Sequence, residues 1–333
     1  MSRKDRPKPF LDLTGEGSLY QQTLKRLLTL DPSEIVIVAS NEHREIIQSQ
    51  SEFLERPFTI LGEPRGRNTA AAVIYAATFL AERNPGSTMV VLPADHYIPD
   101  TSSFRDDILL AAGEAENGNL ITLGVSPDRP ETGYGYIQAP GEGKVRRVLR
   151  FVEKPDLSKA EEYLSSGDYF WNSGIFLWRE DVIRRSFEDY LPAHARVFRR
   201  LLDPKEKIHP WQQSETVDSI YDEIDSISID KGILEKSTAI SMIPSGFTWK
   251  DLGSWDSLDD LLPDDGAGNR ASSDKDVLFT RSSNCSVFTE SMRVAVAGLD
   301  NVIIVQSGES ILVMERGASQ DVREIAMLMD DQT

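Results

Sequence analysis

Residues 68–95 read NTAAAVIYAATFLAERNPGSTMVVLPAD, and this stretch decides the fold class. Asn68 or Thr69 stands where a helix through Ala70 to Ala81 would be capped, and the small residues of that helix suit close packing. Met89-Val90-Val91-Leu92 then reads as a short buried strand stopped by Pro93. The alternation continues in both directions. Upstream, Tyr20, Leu24, Leu27 and Leu28 share one helical face, Asp31-Pro32 ends it, and Ile35-Val36-Ile37-Val38 is strand-like. Downstream, Phe104, Ile108, Ala111, Ala112 and Ala115 mark a helix, and Leu120 to Leu123 returns as strand. Ser158-x-x-Glu161 has the form of a capping box with Gly167 as its stop, and Ile183, Phe187, Tyr190 and Leu191 repeat the helical face. This β-α-β rhythm predicts an α/β fold with a mixed, mostly parallel sheet and helices on both sides.

The character changes after about Leu262. Residues 263–269 are a loop by composition, followed by short β-rich runs at Val277–Phe279, Val294–Val296, Val302–Val305 and Ile311–Met314. The reading therefore divides the chain into a large domain over 1–263 and a small β-rich, β-helix-like domain over 264–333. No strict repeat period shows in the second. A helix or strand near Val322 to Met329 is expected to close it, and this β-rich tail is a candidate surface for a homodimer.

Composition narrows the function. The 333 residues carry 36 Lys+Arg against 54 Asp+Glu, a net charge of −18; a nucleic-acid binder needs a basic face, none shows at this level, and no nucleic acid is expected as partner. An anionic ligand would need local cations or metal ions to offset that field. One cysteine, Cys285, excludes an internal disulfide framework and a Cys-based zinc site. No apolar run approaches the ~20 residues of a membrane span. No signal-peptide core precedes Pro9, so no membrane is expected as partner and the expected compartment is the cytoplasm.

Six segments carry candidate chemistry. Asp95 follows an apolar strand, where ligands of open α/β sheets collect, and its carboxylate suits a divalent cation or the cap of a turn. Arg65-Gly66-Arg67-Asn68-Thr69 precedes a helix start and fits a phosphate or an exposed basic turn. Thr132-Gly133-Tyr134-Gly135-Tyr136 permits close backbone approach to a ligand, or a bulged strand entry. Glu153-Lys154 sets an anion beside a cation, as a phosphate contact or a solvated strand end. Trp171-Asn172-Ser173-Gly174 offers an amide framed by aromatics, which reads a ligand hydroxyl or lines the core. Trp249-Lys250-Asp251-Leu252-Gly253-Ser254-Trp255 offers a second carboxylate in a turn, and spacing alone does not bring Asp251 near Asp95.

Taken together and in order, with Ser228-Ile229-Asp230 and Glu235-Lys236, these segments resemble the sugar nucleotidyltransferase superfamily, and within it the mannose-1-phosphate guanylyltransferases. The resemblance runs from about Ser2 to the C-terminus. It implies a Rossmann-like nucleotide-diphospho-sugar transferase domain and transfer of GMP from GTP to α-D-mannose 1-phosphate, giving GDP-mannose and pyrophosphate. Another sugar 1-phosphate or base, or a regulatory homologue without catalysis, is the alternative. Residue by residue, it implies that Asp95 and Asp251 hold Mg²⁺ and that Lys8 lies near the phosphates. Arg67, Asn68, Thr69, Pro93 and Ala94 fall on the nucleotide side. Gly133, Tyr134, Gly135, Glu153, Lys154 and Asn172 fall on the sugar phosphate. The family opens with an apolar strand and a Gly-Gly-x-Gly-x-Arg loop, and Met1-Ser2-Arg3 aligns just after it. The expectation is therefore a start at an internal methionine or a fragment, with a loop-less descendant of lost or altered activity as the alternative, and little pyrophosphate release from a chain so begun.

Overall fold

The computed structural model describes residues 7–203, 215–253, 255–259, 261–273 and 276–318. The expected closing element near Val322 to Met329 lies outside the described residues. In chain order the elements are α1 (Leu19–Leu28), β1 (Ile35–Ser40), α2 (Arg44–Gln50), β2 (Phe58–Glu63), α3 (Asn68–Arg83), β3 (Thr88–Val91), β4 (His96–Tyr97), α4 (Thr101–Glu116), β5 (Leu120–Val125) and β6 (Gly135–Gln138). There follow β7 (Arg146–Arg147), β8 (Arg150–Glu153), α5 (Leu157–Ser166), β9 (Tyr169–Arg179), α6 (Glu180–Tyr190), α7 (Pro192–Phe198), α8 (Glu215–Glu223), β10 (Ile240–Pro244), β11 (Lys250–Asp251) and α9 (Trp255–Asp259). The chain continues through β12 (Arg270–Ala271), β13 (Val277–Thr280), β14 (Ser286–Thr289), β15 (Val294–Ala297), β16 (Val302–Ser307) and β17 (Ser310–Glu315). These fall into two compact units. One comprises Tyr20–Ala94 and Ile98–Trp249; the other takes the chain up to Leu19, Asp95–Tyr97 and Lys250 onward.

The larger unit has the expected α/β architecture with a mixed sheet. Its seven-stranded sheet runs β7-β10-β5-β9-β6-β8, with β3 also paired to β9, and β1 and β2 form a parallel pair of their own. The expectation of mostly parallel pairing is corrected here. Within the large sheet only β10 and β5 are parallel, while β3, β5 and β6 all run antiparallel to β9. A parallel pair needs a crossover between sheet neighbours. The eleven-residue β9 instead gathers three strands that are distant in the chain. Gly124 sits at the bulge where β5 shifts register on β9, and a Cβ there would lie 2.6 Å from Met242 Sδ and 2.9 Å from Phe170 Cβ.

Most helical faces lie where the periodicity puts them. Phe104, Ile108, Ala111 and Ala115 of α4 are buried, as are Ile183 and Phe187 of α6. α3 begins two residues earlier than expected and is buried along nearly its whole length, from Ala70 to Phe79. The capping box at Ser158 is also corrected. The cap is Asp156, whose carboxylate accepts from Lys159 N at 2.9 Å, because it stands just before the first helical residue whereas Ser158 is already inside the helix. Gly167 does end α5, at φ +72°.

In the smaller unit, residues after Arg270 wind as parallel coils. β12, β14 and β16 pair in sequence, β13 pairs β15, and β17 folds back antiparallel on β16. A period therefore exists where none was read. Arg270 pairs with Ser286, Ser286 with Ile303 and Val277 with Val294, a coil of 16 or 17 residues. The coil repeats positions, not residue types. Cys285, Val287, Val296 and Ile304 fill its interior, and Thr289 reaches Gln306 across one turn at 2.9 Å. Elsewhere in this unit β4 and β11 went unread, and in the coil β12 and β14. The latter holds one apolar pair between hydroxyl residues, too little for a periodic signal.

Candidate functional site

Three residues far apart in sequence meet in the smaller unit. The turn at Ala94–Asp95 follows strand β3, and β4 then pairs antiparallel with β11, setting Asp251 opposite His96. Lys8 opens a single 3-10 turn, Lys8–Phe10, started by Pro7. Its Nζ donates to Asp95 Oδ2 and to Asp251 Oδ1, each at 2.8 Å. The Lys8 side chain is 14% exposed, and the two carboxylates are about one-third exposed. Burial alone would lower the Lys8 pKa, but the charges of Asp95 and Asp251 outweigh it and raise it. For Asp95 burial pushes upward, and the Lys8 ammonium, helped by His96, holds the carboxyl below the usual carboxylate range. The proximity of Asp251 to Asp95, which spacing could not supply, is a product of the β4–β11 pair.

The larger unit holds a second acidic cluster. Gly135 of β6 pairs with Glu153 of β8, and Asn172 lies on β9. A Cβ on Gly135 would stand 2.7 Å from Glu153 Oε2 and 3.4 Å from Asn172 Cβ, so this glycine admits the two side chains. Asn172 Nδ2 donates to Asp230 Oδ1 at 2.7 Å, and its Oδ1 accepts from Gly174 N at 3.1 Å. Asp230 opens one turn of π-helix, Asp230–Leu234. Burial raises the pKa of Glu153, and the charge of Asp230 adds to it. Burial likewise raises Asp230, partly offset by the Asn172 amide. Lys154 is exposed, with φ +48°, a left-handed backbone rare outside glycine, and its Nζ lies 3.7 Å from Glu153 Oε1. Asp230 is the residue that sequence reading left without a role. It lies 58 positions from Asn172, and only the fold joins them.

The remaining candidates have structural partners. Tyr134 packs edge-on against Trp171 and Trp249, with ring centroids 5.3 Å away in each case. Gly133 N donates to Glu131 Oε1 at 2.9 Å. Arg67 Nε donates to the Tyr221 carbonyl at 2.7 Å, and Arg65 pairs with Asp222. Asn68 has φ +63° and its Oδ1 accepts from Thr69 N, while Ala70 N donates to the Ile227 carbonyl. Thr69 Oγ1 accepts from Ile229 N at 2.8 Å. Two amides of the α3 N-terminus, read as open to phosphate, are thus bonded within the chain. Pro93 and Ala94 lie half-buried in the loop after β3. Glu63, at the end of β2, accepts from Tyr221 Oη at 3.0 Å, and burial raises its pKa.

A fold of this kind, with paired carboxylates bridged by lysine in one unit and an amide–acid cluster in the other, has known relatives. The nucleotidyl transferase family matches residues 2–267, and the MannoseP isomerase/GMP-like beta-helix domain matches residues 276–327. The chain belongs to the nucleotidyl transferase family. Within it, the chain is a sugar nucleotidyltransferase of the mannose-1-phosphate guanylyltransferase type. It is 36% identical to the alginate biosynthesis protein AlgA of Pseudomonas aeruginosa over 338 residues, covering 100% of this chain and 69% of that protein. It is 35% identical to a mannose-1-phosphate guanylyltransferase of Escherichia coli, covering 97% and 69%. A crystal structure named mannose-1-phosphate geranyltransferase, from Thermus thermophilus, superposes with a TM-score of 0.86 at 31% identity, covering 99% of this chain and 94% of that one. Among the described residues no helix is long and apolar enough to cross a membrane.

Proposed function

We propose that the chain transfers GMP from GTP to α-D-mannose 1-phosphate. A phosphate oxygen of the sugar phosphate attacks the α-phosphorus of the triphosphate, a P–O bond forms, and the bond to pyrophosphate breaks. Such chemistry rests on positioning and charge neutralisation more than on a general base. The observation that carries the reading is the Lys8 ammonium held 2.8 Å from one oxygen of each of two aspartates. Positive charge is stabilised there in a chain whose net charge is −18.

The same place fits Mg²⁺. Two hard carboxylate donors, completed by phosphates and water, are the usual protein share of its coordination. Among the described residues no group of three or more His, Cys, Asp or Glu converges to hold a metal by protein ligands alone. Asp95 and Asp251 would hold the ion, which, when bound, neutralises charge on the phosphate oxygens. Lys8 would then turn to those oxygens and bind them. Glu153, Asp230 and Asn172 are acceptors and a donor suited to sugar hydroxyls, and the exposed Lys154 suits the sugar phosphate. The name of the Escherichia coli relative supports mannose 1-phosphate and a guanylyl group as substrates.

The test is a coupled pyrophosphate assay with Mg²⁺, run over GTP, ATP, UTP and CTP against mannose 1-phosphate and glucose 1-phosphate. The highest kcat/KM should fall on GTP with mannose 1-phosphate. A higher value for another pair would reassign the base or the sugar within the same class.

A further inference from the structure

The segment that follows Asp251 is built to be held from outside. Gly253 N turns back to the Asp251 carbonyl at 2.7 Å, and α9 follows. Five residues are too few for a helix to stand alone. Its near end is fixed by Trp255, whose ring centroid lies 5.1 Å from that of Phe288, and by Gly317 N, which donates to Asp256 Oδ1 at 2.8 Å. Its far end is Asp259, wholly buried. The Asp259 carboxylate accepts from Arg270 Nη1 at 2.6 Å, from Arg316 Nη1 and from Ser286 Oγ. Arg316 Nη2 also donates to Ser286 Oγ and to the Asn284 carbonyl, each at 2.9 Å.

These partners belong to successive parts of the coil. Arg270 is on β12, Ser286 on β14, and Arg316 follows β17. A buried ion pair is a poor source of net stability, since an apolar contact of similar volume does as well. What it supplies is geometry, because a carboxylate between two guanidinium groups tolerates little displacement. We infer that Asp259 is a positioning residue. With Arg270 and Arg316 it locks α9 to the β-coil, and this lock fixes the short backbone run that presents Asp251 to Lys8. The coil is thereby part of the transfer apparatus. The inference rests on the reading of Asp251 as a phosphate-side carboxylate.

The test compares Asp259→Asn, Arg316→Gln and their combination with Asp251→Asn, each in the full chain. Asp259→Asn should lower kcat about 10-fold and raise the half-saturating Mg²⁺ concentration by a similar factor, since a small misplacement of a group at the reacting phosphates costs at least that much. The sugar-phosphate KM should not move. Hydrogen exchange at Leu252 and Gly253, measured without metal or substrate, should quicken. The double variant should fall short of the product of the two single losses, because both changes break the Asp259–Arg316 contact. Should Asp259→Asn fold poorly, Arg316→Gln decides: it should lower kcat and raise the half-saturating Mg²⁺ concentration in the same direction, and wild-type values of both would overturn the inference. Wild-type kcat and Mg²⁺ requirement in Asp259→Asn, with only a lower Tm, would overturn it too and leave Asp251 in its role. Wild-type turnover in Asp251→Asn would overturn the reading beneath it, and this inference with it.

Discussion

The two acidic clusters differ in how their charge is balanced. Asp95 and Asp251 share the ammonium of Lys8, and Asp95 is held in its charged form. Glu153 and Asp230 face an amide and an exposed lysine, and burial draws both toward the protonated form. The first cluster holds its one ammonium 2.8 Å from each carboxylate and keeps one negative charge, which suits a cation. The second is under-neutralised, and incoming hydroxyl donors would relieve it.

The largest expected effect breaks the first cluster. Asp251→Asn, or Asp95→Asn, should lower kcat by about 10³-fold at saturating Mg²⁺, since a phosphate-bridging metal contributes several kcal/mol to the transition state. Near-wild-type turnover in either variant would show that the lysine bridge is structural only.

Lys154 sharpens the contrast from the other side. Lys154→Ala should reduce kcat/KM for the sugar phosphate by about 10- to 150-fold, the worth of one charge-assisted hydrogen bond of roughly 1.5–3 kcal/mol. Because the residue sits at φ +48°, Lys154→Gly should match that loss yet melt higher, being about 1 kcal/mol more stable than the alanine variant. An effect confined to the nucleotide KM would move Lys154 out of its proposed role.

The smallest effect is thermodynamic, and its sign separates the clusters. The folded pKa of Asp230 lies above its unfolded value. Its cost to stability therefore appears as pH rises through the unfolded value near 4 and is complete above the folded one. Asp230→Asn removes that cost, so its Tm should exceed wild type at pH 7 and converge with it near pH 3. Asp95 behaves oppositely. Its folded pKa is depressed, so its contribution is present above the unfolded value and is lost as pH falls through the folded one. Thermal melts across that range check both signs. A lower Tm for Asp230→Asn at pH 7 would mean that the bond to Asn172 outweighs the buried charge.

Much of the architecture was legible in sequence because burial on a helix leaves a period in the residues. Phe104, Ile108 and Ala111 on α4, and Ile183 and Phe187 on α6, are buried where the spacing put them. The coil was not legible as a repeat, because a pass of 16 or 17 residues needs only an apolar interior residue and a turn, which Cys285, Val287, Val296 and Ile304 satisfy with different side chains. Most of the candidate site residues were named by motif, but Asp230 received no role and the free amides expected before Ala70 are bonded within the chain.

The sequence by itself determined which segments carry charge, where the longer helices and several of the strands lie, and that a β-rich part follows an α/β part. Those are local properties, written in periodicity and in turn residues. Only the tertiary structure decided which charges meet. Lys8, Asp95 and Asp251 are joined by the two-residue pairing of β4 with β11, and Asn172 and Asp230 by the approach of a π-turn to β9. Electrostatic coupling depends on distance in space and on burial, and neither is a function of separation along the chain.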